Sequence, residues 1–186
     1  DCGSTTSKLC LCDDRGRIVF QRYHDNGISS LNTVVQLLKE MNAALPSGSI
    51  IANTGVTGYG ESLLKAALGI DMSEVETLAH AQAARTIFPN VEAILDIGGQ
   101  DMKYIRFREG QIDKIVLNEA CSSGCGTFLQ TFADSLNISL EEFCRLGRES
   151  AHPVDLGTRC TVFMNSKIKE AQRNGADCGD LSAGLA

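Results

Sequence analysis

Two stretches of this sequence share one pattern, Asp1-Cys-Gly-Ser-Thr-Thr-Ser-Lys8 and Asp96-Ile-Gly-Gly-Gln-Asp-Met-Lys103. In both, glycine follows the aspartate two positions later and lysine follows it seven positions later. After each stretch come two apolar segments separated by a turn, a pattern typical of a β-hairpin. The repeated motif with its repeated hairpin predicts two related α/β lobes.

The residue types in these stretches favour phosphate binding. Glycine lets backbone N–H groups approach an anion, and serine or threonine hydroxyls donate further hydrogen bonds. An aspartate at a strand end suits Mg²⁺, which often binds through water. Neither a Walker A loop nor a Rossmann glycine fingerprint occurs in the sequence. Each turn alone fits a plain β-turn equally well, but two turns facing each other would hold a polyphosphate from both sides.

Composition narrows the class of protein. The chain has 186 residues, of which 43% are hydrophobic, and a net charge of -6. The acidic balance argues against broad binding to nucleic acid or anionic membranes. No apolar stretch approaches the roughly 20 residues that span a bilayer, and no signal peptide is recognisable, so we expect a cytoplasmic protein. Eight cysteines are too few for a disulfide scaffold and leave room for metal ligands.

Hydrophobic periodicity predicts the elements of each lobe. We expect strands at 9–13, 17–23, 49–53, 91–96, 102–108 and 111–117, and helices at 31–45, 61–68, 74–88, 127–136, 139–147 and 161–173, with a further helix beginning near Asp180. The predicted lobes are residues 1–89, with the first turn, and 90–186, with the second. Since the sequence begins inside a turn-like run and ends early in a helix, we expect it to be a C-terminally truncated part of a longer protein.

Further motifs give the sequence a family resemblance. They are Thr57-Gly58-Tyr59-Gly60, Glu76-x-x-x-His80-Ala81, Asn118-Glu-Ala-Cys121-Ser-Ser-Gly124-Cys-Gly126 and Arg159-Cys160-Thr-Val-Phe163. With the two turns, they resemble the BadF/BadG/BcrA/BcrD-type ATPases, the activators of 2-hydroxyacyl-CoA dehydratases and benzoyl-CoA reductases. This family belongs to the superfamily of acetate and sugar kinases, heat-shock ATPases and actin. The resemblance implies a two-lobed, actin-like (ribonuclease H-like) α/β fold with duplicated hairpin and helix lobes.

The resemblance also implies ATP and Mg²⁺ as cofactors and assigns them to the two turns. The expected binding residues are Asp1, Gly3, Ser4, Thr5, Thr6, Lys8, Asp96, Gly98 and Gly99. Gln100 and Asp101 follow the second glycine pair, where a side chain that positions the attacking water would lie, with turn capping as the alternative. Lys8 and Lys103 begin strands and are expected to be solvated or to contact phosphate. His80 is expected to pack in its helix.

Two cysteines precede predicted helices, Cys121 and Cys160. A helix N-terminus stabilises a thiolate, the form that binds an iron–sulfur cluster. The resemblance implies that each subunit supplies these two thiolates to one [4Fe–4S] cluster shared across a homodimer. Cys125 is expected to be a small helix residue, although a further thiol near the cluster or an alternative ligand stays open. Cys10 and Cys12 lie on one face of a strand and are expected in the core.

The function implied by the resemblance is ATP-driven electron transfer. Electrons from a ferredoxin or flavodoxin would pass through the cluster to a dehydratase or reductase that carries its own iron–sulfur centre. ATP hydrolysis would drive delivery at low potential, although the given sequence by itself need not hydrolyse ATP. Two alternatives use the same fold: a small-molecule kinase acting on an acid or sugar, and a regulatory module without catalysis.

Overall fold

The structure, a computed structural model, describes residues 1–118, 125–157 and 161–185, without the side chains of 161–163. It divides into two compact units, Asp1–Val91 and Glu92–Ala186. Within the described residues, no helix is both long enough and apolar enough to cross a membrane.

The first unit begins with a hairpin and continues as alternating short strands and helices. Its elements are β1 (Thr6–Cys12), β2 (Ile18–Asp25), α1 (Ser30–Ala44), β3 (Gly55–Val56), α2 (Glu61–Leu68), β4 (Met72–Ser73) and α3 (Glu76–Ile87). β1 and β2 pair antiparallel, and β3 and β4 pair parallel. In the hairpin turn, the Asp13 carboxylate accepts the N–H groups of Arg15 and Arg17, so the tight turn predicted there is confirmed.

The apolar stripe of α1 forms much of the first core. Leu37 is fully buried, and Val34 packs in one cluster with Val56 and Leu64. The helix begins where the Ser29 hydroxyl accepts the N–H of Asn32, a typical N-cap that satisfies one of the open amides of the first turn. Burial of this stripe fixes α1 over the β1–β2 hairpin.

The predicted strand at 49–53 is wrong. These residues form no strand, and Ile50 is 88% exposed. A short apolar run is not enough, since a strand also needs a hydrogen-bonding neighbour. The neighbour is found a few residues later, where the Asp71 carboxylate accepts the amide and hydroxyl of Thr54 at 2.7 Å each and aligns β3 with β4.

In the described part of the second unit, a three-stranded sheet is followed by four helices. Its elements are β5 (Ala93–Ile97), β6 (Met102–Arg108), β7 (Gln111–Leu117), α4 (Gly126–Ser135), α5 (Leu140–Glu149), α6 (Thr161–Arg173) and α7 (Cys178–Leu185). The sheet is antiparallel in the order β5-β6-β7. These elements lie within a few residues of the predicted ones, because their hydrophobic periodicity is long and regular.

The second core lies between the helices. Phe143 and Leu181 are almost fully buried with Leu156 and Ile168, and the rings of Phe132 and Phe143 meet edge to face at 5.6 Å. The two units therefore each contain their own buried apolar cluster.

Substituting Leu37 by alanine tests the first core. We expect Leu37→Ala to lower the free energy of unfolding by about 2–5 kcal/mol, because it removes buried methyl groups and leaves a cavity. Leu63→Ala is the matched control, since Leu63 is also helical but 52% exposed, and should cost less than about 1 kcal/mol. Urea denaturation followed by circular dichroism measures both, and equal losses would contradict the assignment of the core.

Candidate functional site

The two glycine turns have the same backbone geometry. The N–H of Gly3 donates to the carbonyl of Thr6 at 2.9 Å, and the N–H of Gly98 donates to the carbonyl of Asp101 at 2.9 Å. A Cβ on Gly3 would lie 2.9 Å from the Thr6 carbonyl oxygen, and one on Gly98 would lie 3.0 Å from Asp101 Oδ1. A Cβ is excluded by backbone at Gly3 and is crowded at Gly98, so the sequence repeat is a repeat of local structure.

Each turn brings its lysine onto its aspartate. Lys8 Nζ lies 3.2 Å from Asp1 Oδ2, and Lys103 Nζ lies 3.9 Å from Asp96 Oδ2 and 3.1 Å from Asp101 Oδ2. The Lys103 side chain is only 10% exposed, so a solvated Lys103 is excluded, whereas Lys8 is half-exposed. The reason is the antiparallel register, which sets Lys103 directly opposite Asp96.

The two oxygens of the Asp1 carboxylate differ in their contacts. Its Oδ1 atom is buried and has no hydrogen-bond partner among the described residues. A buried polar atom without a partner costs free energy, and such atoms often mark the place of a bound ion or water. Asp1 is therefore suited to hold a cation beside the first turn.

A buried asparagine holds the first turn from the side of the protein body. The Ser7 hydroxyl donates to Asn26 Oδ1 at 2.6 Å, Asn26 Nδ2 donates to the Gly3 carbonyl at 2.7 Å, and the Asn26 N–H donates to the Thr5 carbonyl at 2.8 Å. Asn26 therefore occupies the carbonyl oxygens of Gly3 and Thr5. A phosphate approaching from outside would then meet the amide and hydroxyl donors.

The glycine-rich turn Thr57–Gly60 packs against the first turn at Asp1 and Cys2. The Cys2 N–H donates to the Thr57 carbonyl and the Gly60 N–H donates to the Cys2 carbonyl, both at 2.8 Å. Gly58 has a φ of 98°, and a Cβ there would lie 2.5 Å from Asp1 Oδ1. A Cβ on Gly60 would collide with the fully buried Cys2 thiol. The Thr57–Gly60 turn therefore fixes the position of the Asp1 carboxylate.

The second turn is supported by a helix instead. The N–H groups of Gly126 and Thr127, at the start of α4, donate to the carbonyls of Gly98 and Gly99 at 3.0 and 2.9 Å. The buried Cys125 precedes them as N-cap, without a capping bond from its thiol. The first turn of α4 is thus fixed to the glycine pair, and its helix dipole places partial positive charge beside the turn.

A cavity of about 700 Å³ adjoins the second turn. Its lining includes Gly99 and Gln100 from the turn, Phe128 and Thr131 from α4, and Lys169 and Gln172 from α6. Volumes of this order accommodate organic ligands, and an aromatic wall with a few polar groups suits a heterocycle bearing hydroxyls.

All the predicted turn residues therefore lie at one of two places. Asp1, Gly3, Ser4, Thr5, Thr6 and Lys8 form the first turn and the start of β1, whereas Asp96, Gly98, Gly99, Gln100 and Asp101 form the second. The sequence analysis did not predict Asn26 or Ser7 as site residues, and it assigned no structural role to the Thr57–Gly60 turn. The close spacing of Gly58 and Gly60 was the feature of the sequence that could have indicated such a role.

The predicted cluster cysteines lie outside the described residues. Cys121 belongs to the segment before α4, which begins at Gly126, and Cys160 directly precedes α6, which begins at Thr161. Within the described part of the chain, no group of three or more His, Cys, Asp or Glu side chains is arranged to hold a metal. The cluster ligands stay a prediction.

Comparison with known proteins identifies the family. The sequence model of the BadF/BadG/BcrA/BcrD ATPase family matches residues 1–186. The chain belongs to this family. It is 32% identical over 185 residues to the (R)-2-hydroxyglutaryl-CoA dehydratase activating ATPase of Acidaminococcus fermentans, covering all of this chain and 70% of that protein.

Solved structures confirm the predicted actin-like ATPase fold of this family. The crystal structure of the Acidaminococcus fermentans (R)-2-hydroxyglutaryl-CoA dehydratase component A has a TM-score of 0.82 and 32% identity, with 100% of this chain and 71% of that chain covered. The activator of the 2-hydroxyisocaproyl-CoA dehydratase from Clostridium difficile, with bound ADPNP, has a TM-score of 0.80 and 27% identity, covering 98% and 68%.

Replacing Gly58 tests whether the Thr57–Gly60 turn fixes the position of the Asp1 carboxylate. Gly58→Ala should cost roughly 1–2 kcal/mol of backbone strain and, because its Cβ displaces the Asp1 carboxylate, weaken Mg·ATP binding by about tenfold or more. Gly69→Ala is the matched control, since Gly69 also has a positive φ of 65° but open space around its Cβ. It should lose stability alone. Calorimetric titration that shows equal nucleotide affinity for both variants would refute the role.

Proposed function

We propose that this chain is part of an ATP-dependent activator that delivers electrons to a 2-hydroxyacyl-CoA dehydratase or a related CoA-ester reductase. The observation that carries this proposal is the pair of matching turns, each with its own aspartate and lysine, in a member of an ATPase family. The named relatives are dehydratase activators, which favours this function over a small-molecule kinase of the same fold.

The two aspartates fit Mg²⁺. Carboxylates are the hard oxygen ligands that this ion prefers, and it keeps several of its waters. Asp96 is the corresponding carboxylate of the second turn. Asp1 has a buried oxygen without a partner among the described residues, so it would hold Mg²⁺ at the first turn, directly or through water. Bound there, Mg²⁺ would neutralise charge on the phosphates of ATP.

Each turn would contribute phosphate donors of its own. In the first turn, the amides and hydroxyls of Ser4, Thr5 and Thr6 would donate to phosphate oxygens. In the second, the Gly99 backbone N–H would donate, whereas the Gly98 N–H already donates to the Asp101 carbonyl.

Charged and polar side chains beside the turns would serve hydrolysis. Lys8 and Lys103 carry positive charge within a few ångströms of the aspartates and would balance the phosphate oxygens. Gln100 lines the cavity and would orient the attacking water, with Asp101, held by Lys103, as the second candidate for that task.

The cavity beside the second turn would take the adenosine part of the nucleotide. Phe128 offers an apolar ring for the base, whereas Lys169 and Gln172 offer donors for the ribose. The cavity shares Gly99 with the phosphate-binding turn, so one nucleotide reaches both places.

Cys121 and Cys160 would hold the [4Fe–4S] cluster. Four thiolates are usual for such a cluster, so two subunits would contribute two each. Both residues lie in segments that lead into helices, α4 and α6, and a helix N-terminus favours thiolates. Bound there, the cluster would supply one-electron chemistry at low potential. A cytoplasmic ferredoxin or flavodoxin would be the electron donor, and the partner protein would carry its own iron–sulfur centre.

Coupling between ATP and the cluster would run through α4. The start of this helix is fixed to Gly98 and Gly99 by two backbone hydrogen bonds, and the segment with Cys121 leads directly into it. A change at the second turn on nucleotide binding or hydrolysis would therefore shift the start of α4, a hinge-type switch.

Iron analysis tests the cluster. After anaerobic reconstitution of the protein carrying this chain, we expect about two irons per chain and a dimeric mass in light scattering. Cys121→Ser and Cys160→Ser should each abolish the bound iron, because neither leaves enough thiolates for the cluster. Cys144→Ser, a half-buried cysteine of α5, is the control and should keep it. Iron retained by both ligand variants would overturn the assignment.

Asp96→Asn tests the coupling. This change removes the carboxylate of the second turn, so adding ATP should no longer alter the visible spectrum of the cluster, while iron content stays the same. Asp113→Asn is the matched control on the same sheet, where Asp113 pairs with Arg106 away from the turn. If the spectrum of Asp96→Asn still responds to ATP as in the unaltered protein, the second turn is not the coupling element.

A further inference from the structure

The β1–β2 hairpin carries an exposed pair of thiols that the proposed function does not use. Cys10 and Cys12 were expected in the core, but both are exposed, and their sulfurs lie 3.9 Å apart. Either thiol can donate to the other at this distance.

The strand geometry explains why the two sulfurs converge. Side chains alternate along β1, so Leu9 and Leu11 are half-buried while Cys10 and Cys12 point to the other, solvent-facing side. The register with β2 shifts between Leu11 and Cys12, so the strand is irregular at the position of the second thiol. Such an irregularity bends a strand locally and re-aims a side chain.

The spacing of the sulfurs matches that of two ligands on one metal ion. With metal–sulfur bonds of about 2.3 Å and tetrahedral angles, two thiolate sulfurs are separated by about 3.8 Å. We propose that Cys10 and Cys12 form a bidentate site for a thiophilic divalent ion of the Zn²⁺ and Cd²⁺ type. Thiolate ligands select such soft ions over Mg²⁺.

The remaining coordination positions would be filled from outside the chain. No third His, Cys, Asp or Glu side chain joins these two thiols within the described residues. Two water molecules or other small ligands would complete the tetrahedral coordination that such ions prefer. Two thiols exchange their protons for one divalent ion, so up to two protons leave for each ion bound.

Desolvation, followed by the hydrogen bond and the charge of Cys12, raises the pKa of the Cys10 thiol. A metal ion that displaces the protons of both thiols gains a two-point attachment.

Cadmium titration tests the site. The protein carrying this chain would be reduced, kept anaerobic and given Cys121→Ser and Cys160→Ser, so that the predicted cluster ligands do not compete. We expect one Cd²⁺ per chain, seen as a thiolate-to-metal charge-transfer band in the ultraviolet and as one added ion in native mass spectrometry. Proton release measured in weak buffer should approach two per ion.

Substitutions of the pair distinguish chelation from binding to single thiols. Loss of a neighbouring group of a metal site already costs about 10–100-fold, so Cys10→Ser and Cys12→Ser should each weaken Cd²⁺ binding by at least about tenfold. The double variant should lose less than the product of the two single losses, because either single change already breaks the chelate. Cys144→Ser, in the same background, is the control and should bind as before.

Three outcomes would overturn the proposal. They are the absence of a charge-transfer band, additive small losses in the two single variants, and equal loss in Cys144→Ser. Circular dichroism of each variant confirms the fold, and Cys10→Ala provides a second variant without a hydroxyl. Failure here leaves the ATP site and the cluster unaffected, since those rest on other residues.

Discussion

The ion pair between aspartate and lysine across each glycine turn is the interaction on which the rest of the candidate site depends. A turn whose carboxylate holds a cation and whose donors bind phosphate needs a positively charged side chain close by, both with and without the ligand. The Lys103–Asp96 pair is largely buried, whereas solvent screens the partly exposed Lys8–Asp1 pair and weakens it. The glycine two residues after each aspartate leaves room for the carbonyl or carboxylate oxygen that packs against it.

The repeated turns are supported by different means, and this difference matches their proposed roles. Asn26 and the Thr57–Gly60 turn surround the first one with hydrogen bonds from within its own unit. The second is held by the backbone start of α4. A turn braced on several sides is suited to keep one position, whereas a turn attached to a helix end transmits any displacement along that helix. Of the two turns, the second is therefore the one suited to transmit a displacement along α4.

Local patterns predicted the hairpins, the long helices and both glycine turns, because these features depend on residues close together in sequence. The prediction failed where distant residues decide the outcome. Asn26 lies after the hairpin and meets the first turn only when the strands pair. Residues 49–53 looked like a strand because they include an apolar run, but strand pairing begins only at Gly55, opposite Met72. Cys10 was expected in the core because alternation along a strand shows which residues share a face and not which face is covered.

The donor sets of the chain separate hard from soft metal chemistry. The glycine turns offer carboxylates, hydroxyls and amides, which suit Mg²⁺ and phosphate and attract thiophilic ions weakly. The thiols proposed as metal ligands lie outside the two turn sequences: Cys10 and Cys12 on the hairpin, and Cys121 and Cys160 before α4 and α6. Cys2 belongs to the first turn but is fully buried, against Gly60 of the Thr57–Gly60 turn. Under the proposed function this separation matters, because a thiolate within the nucleotide site would bind a thiophilic ion more tightly than Mg²⁺.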